Sequence, residues 1–358
     1  MIKKYKGTIR SILIVRGAFG DMYEPAWLRA LNDVGVQTRM FDCHQRTWPG
    51  ILGRIERRLL VGPGIWQLRR DLIAKVRDEK PDVVLLYQGH YIDKDTLQAI
   101  KACSHVTGYH NDDPFGQGRT MRRYVHFHES LRHYDSFHVY RPQNLDDLRL
   151  AGVKNCAVLM PGFMPWIDTP PALDPISRSR YASDMFFAGH FEKDVREDCL
   201  MRGVEAGLKV RVHGDPISWH RQASPILLKA LGPIRPVQGL AYRQSIAAAG
   251  IALCFFSKKN RDQYTRRVFE ITATGGFLLS ERTPAMLEMF PEGQSAEYFD
   301  SPDEFIEKVH HYMKHPDQRE KIARNGRERA IHGRHDIHSR MRDWLANIEQ
   351  WSARPRHT

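Results

Sequence analysis

Residues 251–280 read IALCFFSKKNRDQYTRRVFEITATGGFLLS. An apolar run (251–256) is followed by a loop with several basic residues, a helical pattern (266–274), two glycines and a second apolar run. A strand, a helix and another strand in this order predict a βαβ unit, whose two strands are parallel.

The same alternation extends over most of the chain. The segment VVLLY (83–87) has no polar alternation, which is typical of a parallel strand buried on both faces. The other predicted strands are 11–15, 38–41, 105–109, 136–140, 157–160, 185–188, 209–213, 276–280 and 297–299. The predicted helices are 24–34, 66–77, 94–102, 194–206, 242–249, 266–274, 303–314, 317–331 and 335–351. We therefore predict an α/β protein with two Rossmann-like halves.

A proline-rich segment separates the halves. Residues 160–180 contain five prolines and little periodicity, which favours an extended connector because proline removes backbone donors and fixes φ. The predicted organisation is a first domain over 1–165, a linker over 166–180, a second domain over 181–334 and a final helix and tail over 335–358. Ser301 with Glu304 predicts a capping box, and Asp317 predicts the start of the next helix.

The charge balance favours anionic partners. Lys and Arg number 54 and Asp and Glu 42, so the net charge is +12 for 358 residues. Phosphorylated ligands, nucleic acid and anionic lipid surfaces all suit such a charge. The basic residues are scattered and not interleaved with aromatic residues, so nucleic acid is not expected as a partner. For most of the basic residues, the alternative is that they form a solvated surface and bind no specific partner.

The apolar runs and cysteines indicate a cytoplasmic protein. The longest nearly unbroken apolar run is 246–256, shorter than the roughly 20 residues of a membrane-spanning helix. The N-terminal apolar core is too short for a secretory signal. The five cysteines form no CxxC pair, which predicts neither a disulfide framework nor a zinc site.

Candidate ligand-binding residues follow the strands, because open parallel sheets bind ligands beyond the carboxyl ends of their strands. Gly17 and Gly20 follow the first strand, where backbone N–H groups can approach an anion. The alternative is a tight turn that requires positive φ. His110 follows the fourth strand and is a candidate donor to a substrate hydroxyl, or else a surface histidine. The neighbouring Asp112 and Asp113 suit a metal less well than a turn before a proline.

The second half offers further candidates after its strands. Lys193 and Arg196 are placed to reach a phosphate, and Gly214 allows close approach of a ligand. Histidine-rich spots at 126–128, 310–311 and 332–338 lack carboxylate or cysteine partners at useful spacing, so no metal site is expected.

The richest spot is the helix that begins at Arg266. Arg266 and Arg267 stand at its start, where the helix dipole disfavours a cation unless an anion binds there. Glu270, one turn further, suits a bidentate hydrogen bond to a ribose diol. The alternative is a surface ion pair between Arg267 and Glu270.

Residues 266–331 resemble the C-terminal domain of group 1 glycosyltransferases, in particular the spore-maturation-protein-like branch. The similarity lies in RVFE (267–270), the small-residue helix that ends in glycine, PEG (291–293) and the closing helix pair with HP (315–316). The resemblance implies a GT-B fold, in which two Rossmann-like domains face each other across a cleft. It also implies that the second domain binds a nucleotide-sugar donor, that the first binds the acceptor, and that the last helix returns to the first domain.

The resemblance also implies roles for individual residues. Glu270 matches the glutamate that binds the donor ribose, and Arg267 matches an arginine near the diphosphate. Asp262 stands where many relatives have a second glutamate. His110 stands where the family often has a histidine that touches the donor sugar. In the loop after the first strand of the second domain, His190 replaces an arginine, with Lys193 and Arg196 nearby.

The implied function is transfer of a sugar from a nucleotide-diphosphate sugar to a cell-envelope glycan, lipid-linked or protein acceptor. We expect this reaction to retain anomeric configuration and to need no metal or other cofactor, with possible peripheral contact at the inner membrane face. An inverting route would need a base such as Asp21 or Asp112. Two other functions remain open on the same fold: a nucleotide-sugar epimerase and a non-catalytic nucleotide-binding protein.

Overall fold

The computed structural model describes residues 2–17, 23–43, 50–116 and 124–353. The chain forms two compact units, one from Met1–Met160 with Ile337–Thr358, the other from Pro161–Asp336. Each unit has one sheet, and every strand pair in both sheets is parallel. The predicted α/β class is confirmed. Among the described residues, no helix is both long and apolar enough to cross a membrane.

The first unit is built on a six-stranded sheet. Its strands are β1 (Ser11–Arg16), β2 (Gln37–Asp42), β3 (Val83–Tyr87), β4 (His105–His110), β5 (Ser136–Val139) and β6 (Cys156–Val158). Their order is β2-β1-β3-β4-β5-β6. The chain therefore leaves β1 on one side and returns on the other, which places a topological switch point between β1 and β3. As predicted from its apolar sequence, β3 is buried at all five positions.

Helices cover the first sheet. They are α1 (Glu24–Val34), α2 (Gly50–Leu59), α3 (Pro63–Glu79), α4 (Lys94–Lys101), α5 (Val125–Ser130) and α6 (Asn144–Leu150). The end of α1 is set by Gly35, which adopts the left-handed conformation with φ 98°. Three of these helices, α2, α5 and α6, were not predicted. All three are ten residues or shorter, and α2 does not bury its apolar residues, so its sequence lacks the usual signature of a core helix.

The second unit has a five-stranded sheet. Its strands are β7 (Ser183–Ala188), β8 (Val210–His213), β9 (Ala249–Cys254), β10 (Leu278–Glu281) and β11 (Glu297–Phe299). The order β11-β10-β9-β7-β8 places the switch point between β7 and β9. The helices are α7 (Pro175–Tyr181), α8 (Val195–Glu205), α9 (Pro216–Gln222), α10 (Pro225–Leu231), α11 (Gly239–Ala248), α12 (Arg266–Thr274), α13 (Pro284–Met289), α14 (Pro302–Lys314) and α15 (Pro316–His332).

The proline-rich segment differs from the extended linker that we predicted. It lies within the second unit, and Phe163 forms a β-bridge with Asp336 of that unit. Its end folds into α7, because Asp174 caps the helix by accepting from the Ser177 N–H while Pro175 occupies the first turn, where no donor is needed. Prolines that suggested irregular backbone therefore begin a helix here.

Two predicted helix caps have different outcomes. The hydroxyl of Ser301 accepts from the Glu304 N–H at 3.2 Å, which is one half of the capping box predicted for α14. The Glu304 carboxylate accepts from the Asp300 N–H at 2.8 Å, in place of the reciprocal bond to Ser301. The prediction for Asp317 is wrong, since α15 begins one residue earlier at Pro316 and His315 is its N-cap. Proline at the first helical position is the better start signal in this segment.

The last helix, α16 (Ile337–Ser352), belongs to the first unit. His338 Nε2 lies 2.9 Å from Asp33 Oδ2 at the end of α1, and Glu349 accepts from the Thr8 hydroxyl at 2.9 Å. Trp344 is fully buried beside the His138 ring. The chain thus completes its first unit with its final segment.

Candidate functional site

The two loops at the switch point of the second sheet meet at one arginine. Gly189 follows β7, and the segment after β9 leads into α12, whose second residue is Arg267. A Cβ atom built on Gly189 would lie 3.2 Å from Cζ and 3.3 Å from Nη2 of Arg267. The guanidinium therefore lies directly against the Gly189 backbone, in the crevice where doubly wound sheets bind their ligands.

Arg267 has no partner among the residues that the structure describes. Neither an ion pair nor a hydrogen bond occupies its guanidinium, which is half-buried. Thr265, the N-cap of α12, makes no side-chain cap hydrogen bond. A half-buried cation thus stands at a helix N-terminus, which itself carries roughly +0.5 elementary charge. This arrangement suits an anion such as a diphosphate.

Glu270 lies one turn into α12 and is buried. Its Oε1 is 2.7 Å from Nη2 of Arg266, and its Oε2 accepts from the Tyr242 hydroxyl at 3.1 Å. The surface pair of Arg267 with Glu270, which the sequence left open, is not formed. A carboxylate accepts about four hydrogen bonds, so Glu270 keeps capacity for two ligand hydroxyls.

Asp168 is a buried acid beside this cluster that the sequence analysis missed. It accepts from the Met164 N–H at 2.7 Å. Burial, together with the negative charge of Glu270, raises the pKa of Asp168 to about 6. Tyr242 was missed too, and burial raises the pKa of its hydroxyl well above 10. No local pattern marks either residue, because both reach Glu270 only through tertiary packing.

Arg196 was predicted to reach a phosphate, but its guanidinium is held elsewhere. It forms a bidentate pair with Asp194, with Nε–Oδ1 at 2.7 Å and Nη2–Oδ2 at 2.8 Å, and Nη1 donates to the His190 carbonyl at 2.6 Å. The side chain is buried. Through these bonds to Asp194 and His190, Arg196 fixes the conformation of the loop after β7. Lys193, from the same loop, is exposed and remains a candidate for a phosphate contact.

Gly214 was predicted to allow a ligand to approach, but protein atoms fill that space. A Cβ there would lie 2.2 Å from the Gly189 carbonyl and 2.4 Å from Trp219 Nε1. The indole N–H of Trp219 donates to the same carbonyl at 2.9 Å. The Gly214 N–H is already bonded to the Arg235 carbonyl. This glycine lets Trp219 lock the Gly189 loop in place.

Asp262 lies in the turn between β9 and α12 with its side chain half-buried. Its backbone N–H donates to the Ser257 carbonyl at 2.9 Å, and the preceding Arg261 adopts positive φ (54°). Asp262, Arg266, Arg267 and Glu270 thus share one segment of the second unit, as predicted.

In the first unit, Gly17 follows β1 at the switch point with β3. A Cβ there would lie 2.8 Å from Tyr87 Cδ1, so close packing against the end of β3 requires glycine. Its φ is not positive, so the tight-turn alternative does not apply to it. Its N–H faces Glu24 Oε1 at 3.4 Å, and burial raises the pKa of Glu24. Gly20 and Asp21 lie outside the described residues.

His110 ends β4 and is fully buried. Its Nδ1 lies 3.1 Å from the backbone N–H of Asp112 and 3.1 Å from the carbonyl oxygen of the same residue. The rings of His90, Tyr124 and Phe127 pack around it at 5.4–5.6 Å between centroids. His110 is thus an interior residue at a strand end, and the surface-histidine alternative is wrong.

The metal-ligating residue types are dispersed. Within the described ranges, no group of three or more His, Cys, Asp or Glu side chains is arranged to hold a metal ion. Asp113, one of the two acids considered for a metal, accepts from the Asn144 amide at 2.8 Å and from the Phe115 N–H at 3.1 Å. It forms the turn that the sequence favoured.

Residues 196–346 match the model of a family described as glycosyl transferase-like. This segment is therefore similar to a glycosyl transferase-like domain. It contains α12 with Arg266, Arg267 and Glu270, so the site described above lies within it. The resemblance to group 1 glycosyltransferases is thereby confirmed, while the spore-maturation branch stays a prediction. No curated protein matches the chain in sequence.

Solved structures share the fold over almost the whole chain. Sucrose-phosphate synthase from Thermosynechococcus elongatus has a TM-score of 0.66 and 12% identity, covering 96% of this chain and 99% of its own. Anabaena Alr3699/HepE, in complex with UDP and glucose, has a TM-score of 0.63 and 11% identity, covering 95% and 100%. A putative UDP-N-acetylglucosamine 2-epimerase from Listeria monocytogenes has a TM-score of 0.55 and 10% identity, covering 96% of each chain. The chain therefore has the GT-B fold.

Proposed function

We propose that this protein transfers a sugar from a nucleotide-diphosphate sugar to an acceptor hydroxyl. The observation that carries the proposal is the Arg267 guanidinium at the start of α12, which lies against the Gly189 backbone and has no ion pair or hydrogen bond with any described residue. When the bond between the sugar and the diphosphate breaks, negative charge grows on the departing diphosphate. A fixed cation at a helix N-terminus stabilises that charge more strongly in the transition state than in the ground state.

Glu270 supplies the second part of the proposed donor site. Its carboxylate is oriented by Arg266 and Tyr242 and has lone pairs left for the two ribose hydroxyls. Binding of the ribose is the same before and during bond breaking, so Glu270 serves affinity while Arg267 serves turnover. Asp262 remains a proposed contact for the donor sugar, and Lys193 remains a proposed phosphate contact. The sugar contact implied for His110 is not part of this proposal, because His110 is fully buried in the first unit.

The finer features follow from this chemistry. With Arg267 and the helix N-terminus as the source of positive charge, the reaction is proposed to need no metal ion. Retention of anomeric configuration is proposed separately, on the resemblance to group 1 glycosyltransferases, which mostly retain it. A net charge of +12 suits work at an anionic surface. We therefore propose a cytoplasmic enzyme that acts on a cell-envelope glycan, lipid-linked or protein acceptor.

The Listeria structure shares this fold and is described as a putative epimerase, so an epimerase is the second candidate function. The two functions differ in what they require, since an epimerase converts the nucleotide sugar without an acceptor. A nucleotide-binding protein without activity is the third candidate and would release no nucleotide diphosphate under any condition.

A two-step experiment tests the proposal. A thermal-shift panel of UDP, GDP, CDP, dTDP and ADP identifies the base, because a ligand at 100 times its dissociation constant stabilises by about 2.7 kcal/mol. The corresponding nucleotide sugars are then assayed for release of nucleotide diphosphate with and without an acceptor-containing envelope extract, and with and without EDTA. Release that depends on the extract and survives EDTA is expected. An altered sugar in the donor-only reaction would identify an epimerase, and loss with EDTA and recovery with Mn²⁺ would refute metal independence.

A further inference from the structure

Helix α2 of the first unit turns its apolar side chains to solvent. Within α2 the buried residues are Gly53 and Glu56. Helices of soluble proteins usually bury their apolar face and expose their polar face. The exposed fractions are 67% for Ile51, 62% for Leu52, 48% for Ile55 and 36% for Leu59.

The inverted orientation of α2 is held by specific contacts. The Oε1 atom of the buried Glu56 accepts from the Gly64 N–H at 3.0 Å, at the beginning of α3. Leu60, which follows α2, is buried in the core of the first unit. Because Glu56 and Leu60 lie one turn apart on the inward side, the apolar residues of α2 cannot turn inward without breaking both contacts.

The exposed apolar residues form one stripe, and arginines border it. At 3.6 residues per turn, the four apolar side chains of α2 fall within an arc of about 100°. Arg54 and Arg58 lie one turn apart beside that arc, and neither forms an ion pair or hydrogen bond with any described residue.

The exposed apolar surface continues past the end of α2. Val61 in the connection and Trp66 on α3 are 48% and 53% exposed. Arg70 lies one turn after Trp66 on α3, and it too has no partner among the described residues. Branched aliphatic residues, an exposed tryptophan and unpaired arginines thus occupy two consecutive helices.

We propose that α2 and the first turn of α3 dock onto an anionic lipid surface. In this arrangement the apolar stripe enters the boundary between headgroups and acyl chains, and Arg54, Arg58 and Arg70 contact the lipid phosphates. Exposed apolar patches of this kind mark interaction sites, and the arginine border selects an anionic partner. A second copy of the same patch would place arginines against arginines, so self-association through this face is disfavoured. The inference is independent of the proposed sugar transfer.

Vesicle flotation of the full chain tests the proposal. Wild-type protein is expected to float with phosphatidylglycerol-containing vesicles at low salt and to bind pure phosphatidylcholine vesicles much more weakly. The double variant Arg54→Gln/Arg58→Gln should bind roughly 30-fold less, at about 1 kcal/mol per residue. The double variant Ile51→Ser/Ile55→Ser should bind at least tenfold less, with its melting temperature unchanged.

A matched control uses exposed isoleucines of the second unit. Ile176 and Ile226 are 81% and 71% exposed, and the double variant Ile176→Ser/Ile226→Ser should float like wild type. Equal flotation of the α2 variants and this control would overturn the proposal. A second result would also overturn it. In that case the wild-type protein does not bind vesicles and is a dimer in analytical ultracentrifugation, and Ile51→Ser/Ile55→Ser converts the dimer to a monomer.

Discussion

Arg266, and not its neighbour Arg267, pairs with Glu270 across one turn of α12, with 2.7 Å between Nη2 and Oε1. This pairing gives two adjacent arginines different tasks. Arg266 holds the buried carboxylate, and Arg267 remains available beside Gly189. The proposed roles of the helix start rest on this division.

Replacing Arg267 should slow the reaction without greatly weakening donor binding. In Arg267→Ala, kcat is expected to fall by roughly 10²-fold, because the lost charge acts mainly on the developing diphosphate. In Glu270→Gln, the donor KM is expected to rise about tenfold, since a charged hydrogen bond becomes a neutral one, at about 1.4 kcal/mol per tenfold. Steady-state kinetics with varied donor separate the two effects.

Arg324→Ala is the charge-matched control for Arg267→Ala, because each variant loses one positive charge. Arg324 is exposed on α15 and has no partner among described residues, so its loss changes the net charge equally. Kinetics like wild type are expected for it. If Arg267→Ala and Glu270→Gln also behaved like wild type, the placement of the donor site on α12 would be wrong.

Tyr242→Phe should raise the donor KM a few-fold and leave kcat unchanged. The substitution removes the hydroxyl that donates to Glu270 at 3.1 Å, and a single hydrogen bond contributes about 0.5–1.5 kcal/mol. Tyr181→Phe is the control, because no hydrogen bond of the Tyr181 hydroxyl is found among the described residues. A change in kcat for Tyr242→Phe, with constant KM, would contradict a role in orienting Glu270.

Asp168 should make stability depend on pH. Its pKa is about 6 in the folded protein and 3.8 in its ordinary state, so the folded state holds the proton more tightly. Stability is therefore highest below pH 4 with respect to this group and falls as pH rises through 6. Asp168→Asn should melt higher than wild type at pH 8, by an amount equivalent to about 3 kcal/mol, and the difference should shrink towards pH 4.

The charge of Glu270 contributes to that raised pKa, after burial. In a Glu270→Gln background, the pH dependence caused by Asp168 should therefore shift towards lower pH. Melting curves of the single and double variants at several pH values measure the shift. An Asp168→Asn stabilisation that does not change between pH 4 and 8 would exclude the proposed titration.

Arg196→Ala should destabilise the second unit. The change leaves Asp194 with its charge in a largely buried site, which typically costs 3–5 kcal/mol and lowers the melting temperature by roughly 10 °C. Arg202→Ala, on the same helix, breaks only an exposed pair with Asp303 and should cost at most about 1 kcal/mol. Equal melting temperatures for the two variants would show that Arg196 does not anchor the loop after β7.

The strands and long helices could be predicted from sequence because their signals are local. The apolar run of β3 and the small-residue pattern of α12 each lie within a few consecutive positions, and both elements were placed with correct bounds. The candidate site was found on α12 for the same reason, since a strand exit, two arginines and a glutamate are adjacent in the chain. The fold class was thus determined by sequence alone, and the same local signals led to the proposal of a site on α12.

The assignment of partners was decided only by the tertiary structure. Spacing permits Glu270 to pair with either Arg266 or Arg267, and packing of α12 against the Gly189 loop selects Arg266. Asp168 and Tyr242 reach Glu270 from distant segments, so no local pattern indicates them. Helix α2 was missed because its apolar side chains face solvent. This orientation depends on the hydrogen bond that the buried Glu56 accepts from the Gly64 N–H. Contacts between residues far apart in the chain are fixed by burial and geometry, and these exist only in the folded protein.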